Sequence, residues 1–264
     1  IPLIQRLATE KGQALILVPT RELALQVEES FMQIGRQVGL KTEVVIGGAS
    51  SHSQIRGLRK KPHVVIATPG RLIDHLDQGH YNLNLVNTVI LDEADRMFDI
   101  GFLPDIKRIL KEAPQNRQTL LFSATMPSAI AQIASQFMKM PLRIEVSPAG
   151  TSAQNVEQEI FIIDKQAKVR LLEKILKDNE GTVLVFSRTK FGAKKINRYV
   201  QAMGYTSSEI HSNRSLAQRK EALAGFKSGK YRVLVATDIA ARGIDVTGIA
   251  MVINYDMPEN NEDY

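Results

Sequence analysis

Ten runs of four or five residues rich in Val, Ile and Leu punctuate the chain, and between them apolar residues recur at every third or fourth position. This alternation narrows the fold more than any other feature. A run that is apolar at successive positions needs cover on both faces, which a parallel sheet flanked by helices supplies. The expected class is therefore α/β. Strands are expected at 14–18, 43–46, 64–67, 88–91, 119–122 and 142–146, and then at 159–163, 182–186, 232–236 and 250–254. Helices are expected at 21–38, 129–138, 168–177 and 215–226, the last behind a capping region at 212–215.

With 264 residues the chain is long enough for two domains, each with its own core. The segment Ser147-Pro148-Ala149-Gly150-Thr151-Ser152-Ala153 is the one stretch dense in small, turn-forming residues. Domains are accordingly expected at 1–146 and 155–264, joined by a linker at 147–154. Apolar runs fall far short of the ~18 residues that span a bilayer, and Ile1–Leu7 lacks the pattern of a secretory signal. The absence of Cys excludes disulfides, Cys-based zinc sites and a thiol nucleophile, and with it a cytoplasmic address is expected. Net charge is +6, split as 17 Lys+Arg against 14 Asp+Glu on each side of residue 150. That balance permits a polyanionic partner. The absence of Trp and the scarcity of other aromatics disfavour binding by extensive base stacking.

In open α/β sheets ligands sit beyond the carboxyl ends of the strands. Five of the expected strands run into Pro19-Thr20-Arg21, Gly47-Gly48, Thr68-Pro69-Gly70-Arg71, Asp92-Glu93-Ala94-Asp95 and Ser123-Ala124-Thr125. The segment Thr88-Val89-Ile90-Leu91-Asp92-Glu93 has the form of a Walker B strand, whose terminal acid holds Mg²⁺ while its neighbour orients an attacking water. An acidic helix start stabilised by the macrodipole would produce the same pair. Pro19-Thr20-Arg21 and Thr68-Pro69-Gly70-Arg71 each pair a hydroxyl and a guanidinium with a helix start, a combination suited to phosphate oxygens and equally to an N-cap with a solvated Arg. Gly47-Gly48 allows close approach of a nucleic-acid backbone or simply makes a turn. Ser123-Ala124-Thr125 suits a latch onto the acidic cluster or a cap before Met126-Pro127.

In this order and at these separations the segments resemble the DEAD-box ATP-dependent RNA helicases, in wording closest to bacterial members. Val185-Phe186-Ser187-Arg188-Thr189-Lys190 and the run from Ala236-Thr237-Asp238 to Arg242-Gly243-Ile244-Asp245 are similar to the family's second-domain motifs. The resemblance implies two RecA-like domains, ATP and Mg²⁺ as cofactors, RNA as partner, and a monomer. It implies that Asp92 holds Mg²⁺ through water, that Glu93 positions or deprotonates the hydrolytic water, and that Asp95, Ser123 and Thr125 couple the nucleotide to domain closure. Pro19, Thr20, Arg21, Gly48, Thr68, Pro69, Gly70, Arg71, Thr189 and Thr237 would hold the RNA sugar-phosphate backbone. Gly243 and Asp245 would face the nucleotide, Asp245 near the ribose.

The sequence departs from the family in places. It contains no Gly-x-x-x-x-Gly-Lys-[Ser/Thr] phosphate loop, and it ends before the family's His- and Arg-rich motif with its arginine finger. The expectation is a helicase truncated at both ends, with an active parent and a largely inactive fragment. Ser212 and Leu216 stand where the family usually has Gly and often Gln, while Arg219 fits the pattern. Two alternatives accompany this reading: a nucleic-acid-binding module without ATP chemistry, and a related helicase acting on DNA.

Overall fold

The computed structural model describes residues 1–145, 156–237 and 246–257. The chain divides into two compact units, Ile1–Gln154 and Asn155–Tyr264. The first is built on five parallel strands, β1 (Gln13–Leu17), β2 (Thr42–Val45), β3 (Val64–Ala67), β4 (Val86–Leu91) and β5 (Gln118–Leu121), in the order β2-β3-β1-β4-β5. Ala14 lies opposite Val64 and Thr88, and Leu17 opposite Ala67 and Leu91. All five residues of β1 are buried, as an apolar run at a sheet centre requires. Its one polar member, Gln13, donates from Nε2 to Pro62 O at 2.7 Å and accepts from Tyr81 Oη at 3.1 Å, so both ends of its buried amide are matched.

Helices α1 (Pro2–Thr9), α2 (Arg21–Gly35), α3 (Ser51–Arg59), α4 (Pro69–Asp77), α5 (Ala94–Asp99), α6 (Leu103–Glu112) and α7 (Ser128–Phe137) complete this unit. On one sheet face Leu15, Leu17, Val65, Val89 and Leu91 pack with Leu72, Met97, Ile106, Ile109 and Ile130. Ile16 and Ile66, on the other face, are equally buried. Each such side chain contributes ~1.5–3 kcal/mol from area removed from water.

The second unit contains α8 (Lys168–Asp178), β6 (Val183–Ser187), α9 (Lys190–Ala202), β7 (Ser207–Ile210), α10 (Leu216–Lys227), β8 (Val233–Thr237) and β9 (Met251–Asn254). Its parallel strands run in the order β7-β8-β6-β9. Val183, Val185, Val233 and Val235 pack beneath α8 and α9, while Leu184, Leu234 and Ala236 pack on the opposite face with Ala222 and Phe226 of α10. Ser215 and Gln218 form the reciprocal capping box that opens α10. The chain is thus α/β, with two parallel sheets flanked by helices. Among the described residues no helix is long and apolar enough to cross a membrane.

Two expected strands are corrected. Residues 142–145 and 159–163 are not strands, and residue 146 lies outside the described residues, as does the expected linker at 147–154. Leu142 is 85% exposed and Ile162 98%. Their β-branched and apolar alternation supplies propensity, but a strand exists only against a hydrogen-bonding edge, and neither segment has one among the described residues. The converse error is β7. Ser207-Ser208-Glu209-Ile210 carries one apolar residue and gives no hydrophobic signal, yet it pairs with β8 from Ser207–Val233 to Ile210–Ala236.

On β2 the Glu43 carboxyl lies against the backbone of Gly57 in α3, where a Cβ would collide with it. Burial, reinforced by the nearby Glu28 carboxylate and opposed by Lys60, raises its pKa from 4.5 to about 7. The folded chain therefore holds this proton more tightly than the unfolded chain, so the Glu43 contribution to stability is greatest below pH 4.5 and falls as pH rises to about 7. Glu43→Gln is expected to raise the melting temperature at neutral pH and to flatten its pH dependence across that window. Parallel melting profiles of the two proteins would show no difference in slope if the assignment were wrong.

Candidate functional site

The strand order of the first unit changes direction at β1, and the loops beyond the carboxyl ends of β1, β2 and β3 meet there. Thr20 is the N-cap of α2 and accepts from Leu23 N–H at 3.2 Å. That fixes the start of α2, and the following Arg21 side chain extends over Gly47-Gly48. A Cβ on Gly47 would lie 3.1 Å from Arg21 Nη2, and one on Gly48, whose φ is +77°, would collide with the same guanidinium. The glycine pair is therefore a turn whose lack of side chains admits Arg21. From the other side Arg71 Nη2 donates to Ala49 O at 3.2 Å, and Arg71 pairs with Asp74 at 3.5 Å. Beneath, Gln54 Nε2 donates to Ile46 O at 2.8 Å, and Gln54 Oε1 meets His75 Nε2 at 3.0 Å. Burial, with the nearby Arg71 charge, lowers the His75 pKa.

Thr68 takes the N-cap position of α4 but makes no side-chain cap bond, and Pro69 fills the first turn, where its missing N–H costs nothing. Gly70 packs loosely, its nearest side-chain atoms being 3.9 Å from where a Cβ would sit. Among the described residues Arg71 Nε is buried and has no hydrogen-bond partner. The sequence thus brings Thr20, Arg21, Gly48, Thr68, Pro69, Gly70 and Arg71 to one edge of the sheet, with two guanidiniums bracketing a glycine turn. Such an arrangement suits a phosphodiester backbone, which asks for cations and close approach rather than pockets for bases.

The acidic cluster follows β4. Asp92 N–H donates to Leu17 O at 3.0 Å, extending the β1–β4 ladder by one step and fixing the carboxylate at the strand end. Asp92 Oδ1 accepts from Glu93 N–H at 3.0 Å, and burial raises the Asp92 pKa while this bond opposes the shift. Glu93 is left-handed (φ 50°, ψ 53°), a conformation uncommon outside glycine and concentrated at working sites. Its carboxylate approaches Arg96 at 3.8 Å. No cluster of three or more metal-ligating side chains occurs among the described residues. Mg²⁺ requires only one or two protein carboxylates besides water, and the partly desolvated Asp92, with one hydrogen bond to its carboxylate, fits that donor set.

Asp95 is 7% exposed and fully engaged. Its Oδ2 accepts from Thr125 N–H at 2.8 Å and from Thr125 Oγ1 at 2.9 Å, and its Oδ1 accepts from Arg96 N–H at 3.0 Å. Asp95 N–H donates to Ser123 Oγ at 3.1 Å, and that hydroxyl donates to Thr125 O at 2.6 Å. Of the two options for Ser123-Ala124-Thr125, the structure shows the latch. Helix α7 begins later, with Pro127 at its N-cap and no side-chain cap bond.

In the second unit Thr189 caps α9, accepting from Gly192 N–H at 3.0 Å, and Thr237 ends β8. Gly243 and Asp245 lie outside the described residues. Asp256, absent from the sequence-based set, organises this edge. Its Oδ2 accepts from Ser187 Oγ at 3.2 Å and Arg188 N–H at 3.3 Å, while Oδ1 meets Lys168 Nζ at 3.2 Å. The strand-end criterion that selects Asp92 also selects Asp256, two residues beyond β9. Glu209, buried on β7, is a second such residue: its Oε1 binds His211 Nε2 at 3.3 Å and Arg214 Nη2 at 2.5 Å, tying down the loop before α10.

The latch makes a stability prediction. Asp95→Ala removes a buried carboxylate that accepts three hydrogen bonds and is expected to lower the unfolding free energy by about 1.5–3 kcal/mol, against about 0.5–1.5 kcal/mol for Ser123→Ala. Urea titrations of both variants measure this, and equal losses would contradict the central place given to Asp95.

Comparison with known proteins accords with this geometry. The model of the DEAD/DEAH box helicase family matches residues 1–133, and that of the helicase conserved C-terminal domain matches residues 167–264. The DEAD-box ATP-dependent RNA helicase CshA of Bacillus licheniformis is 40% identical over 267 aligned positions, covering 100% of this chain and 55% of that protein. The ATP-dependent RNA helicase DbpA of Bacillus subtilis is 40% identical over 255 positions, covering 96% and 53%. The chain therefore spans about half the length of the curated relatives it matches. Among solved structures, Saccharomyces cerevisiae Dbp5 bound to RNA and ADP BeF3 superposes with a TM-score of 0.85 at 25% identity, covering 98% of this chain and 67% of that one. A DEAD box protein from Methanococcus jannaschii gives 0.54 at 37% identity, covering 100% and 72%. With a family model matched over half its length, whole-chain similarity to bacterial relatives and the acidic strand end built as described, the chain belongs to the DEAD-box helicases.

Proposed function

We propose that this chain belongs to an ATP-dependent RNA helicase that grips RNA by its backbone and separates short duplexes as ATP draws its two units together. The observation that carries the proposal is the shared edge of the first sheet: the Asp92–Asp95 cluster and the Arg21–Gly48–Arg71 cluster both stand beyond the carboxyl ends of strands paired with β1 or next to them. Bound Mg²⁺ would supply positive charge to the developing phosphate oxygens. Asp92 is the residue to hold it, through water. Glu93, placed by its left-handed backbone one residue beyond the strand, is the base or positioning group for the attacking water. Asp95, joined to Ser123 and Thr125, transmits a shift at Asp92-Glu93 to the end of β5. Pro19, Thr20, Arg21, Gly48, Thr68, Pro69, Gly70 and Arg71 hold the sugar-phosphate backbone from the first unit, and Thr189 and Thr237 do so from the second. Gly243 and Asp245 are assigned to the nucleotide. ATP and RNA each favour the closed arrangement, so each strengthens the binding of the other.

The test is ATP hydrolysis with and without single-stranded RNA. It compares this 264-residue chain with a longer form that includes a phosphate loop and the Arg-rich motif, and with that form carrying Glu93→Gln. The longer form is expected to turn over with RNA stimulation, Glu93→Gln to lose about 10²–10⁴ in rate, and the 264 residues alone to show no turnover. Salt-sensitive RNA binding by all three with no turnover in any would instead establish a binding module without ATP chemistry. Equal stimulation by DNA would redirect the substrate.

A further inference from the structure

Helix α9 begins at Thr189, the residue assigned above to the RNA backbone, and carries Lys190, Lys194, Lys195 and Arg198 with no acidic residue in its thirteen positions. Its buried face is Ala193, Ile196, Asn197 and Val200. The opposite face exposes Phe191, Lys194, Lys195 and Arg198, which at spacings of three, four and seven form one stripe along the helix. Other helices of this unit mix their signs: α8 includes Glu173 and Asp178, and on α10 Glu221 pairs with Lys230 at 2.8 Å. Among the described residues Lys194, Lys195 and Arg198 have no ion pair with an acid. Lys195 instead lies 5.6 Å from the centre of the Tyr199 ring.

Phe191 is the anomaly at the head of the stripe. It is 71% exposed on the second residue of a helix whose core face is already formed by Ala193, Ile196 and Val200. The Lys190 ammonium stands 5.4 Å from the centre of its ring and bonds Asn213 Oδ1 at 3.1 Å, which holds cation and ring side by side. An exposed aromatic flanked by cations and continued by a cationic stripe has the chemistry of a single-stranded polynucleotide track: the ring face meets a base and the cations meet successive phosphates.

We infer that the exposed face of α9 extends the RNA grip beyond Thr189, with Phe191 stacking on a base and Lys194, Lys195 and Arg198 neutralising the phosphates that follow. The inference rests on the RNA-binding reading above. It adds a sequence-independent contact area, and it predicts that part of the salt dependence of binding belongs to one helix.

Binding of the 264-residue chain to a labelled oligouridylate, measured by fluorescence anisotropy over a series of KCl concentrations, tests this. Lys194→Gln/Lys195→Gln/Arg198→Gln is expected to reduce the slope of log K against log[salt] by about 2, from three lost contacts at about 0.7 each. Phe191→Ala is expected to weaken binding about fivefold or more. A control with the same charge loss on α8, Arg170→Gln/Lys174→Gln/Lys177→Gln, is expected to leave the slope unchanged. Oligonucleotides containing 4-thiouridine are expected to cross-link within residues 190–198 of the unsubstituted chain. If Thr189→Val weakens binding while the α9 triple variant matches the α8 control and cross-links fall elsewhere, the α9 track is overturned and the RNA-binding reading stands. If the unsubstituted chain does not bind oligouridylate at all, both fall.

Discussion

The pairing of β1 with β3 on one side and β4 on the other is the constraint from which the site follows. With Leu17 opposite both Ala67 and Leu91, these three strands end at the same level, and what comes next on each is delivered to one edge. The hydrogen bonds continue one step past the strands, from Val18 N–H to Ala67 O and from Asp92 N–H to Leu17 O. The register that buries Leu15 and Val89 therefore also sets the height of Thr20, Thr68 and Asp92. A strand slipped by one residue would set side chains packed against one helix layer against the other, so the packing of the core also fixes the geometry of the edge.

On that edge two different economies of charge operate. Around Gly47-Gly48 Arg21 is held by shape and Arg71 by Ala49 O and Asp74, and among the described residues Arg71 Nε is buried without a hydrogen-bond partner. A guanidinium with spare donors is suited to receive a phosphate. Around Asp95 the opposite holds: every bond is closed within the protein, and the residue behaves as a structural node between α5 and the segment after β5. Asp92 lies between these extremes, partly desolvated with its pKa pushed up, the condition that an approaching cation relieves.

Much of this was legible in the sequence because burial on both faces leaves an unmistakable signature. β1, β3, β4, β6 and β8 are nearly continuous apolar runs, and the polar residues at their ends stand out against them. The latch between Asp95 and Thr125 was also available as one of two options, since a short hydroxyl-rich segment beyond a strand can either cap a helix or bond an acid. The misses have one cause. Strand formation at an edge is decided by the partner: Ser207–Ile210 is a strand because β8 offers an edge, whereas the more β-prone 159–163 is not. Asp256 escaped because it acts through Lys168 and Ser187, far away in sequence, and Glu209 because the strand that buries it carries no apolar run, although its partners His211 and Arg214 lie only two and five residues on.

The charge balance shows most clearly what only the structure resolves. Counted along the chain, the excess of +3 is the same in each half and singles out nothing. In the folded protein the acids are not spread evenly among the cations. Arg108 is bracketed by Asp77 and Glu112, Glu221 takes Lys230, and Glu209 takes Arg214. Each such pairing removes a cation from the field available to a polyanion, and what remains is concentrated where pairing is absent. The exposed face of α9 is such a place, and it begins at the helix start that Thr189 caps. A modest net charge is therefore compatible with a locally strong electrostatic track, because screening confines each group's influence to about 10 Å and local composition outweighs the total.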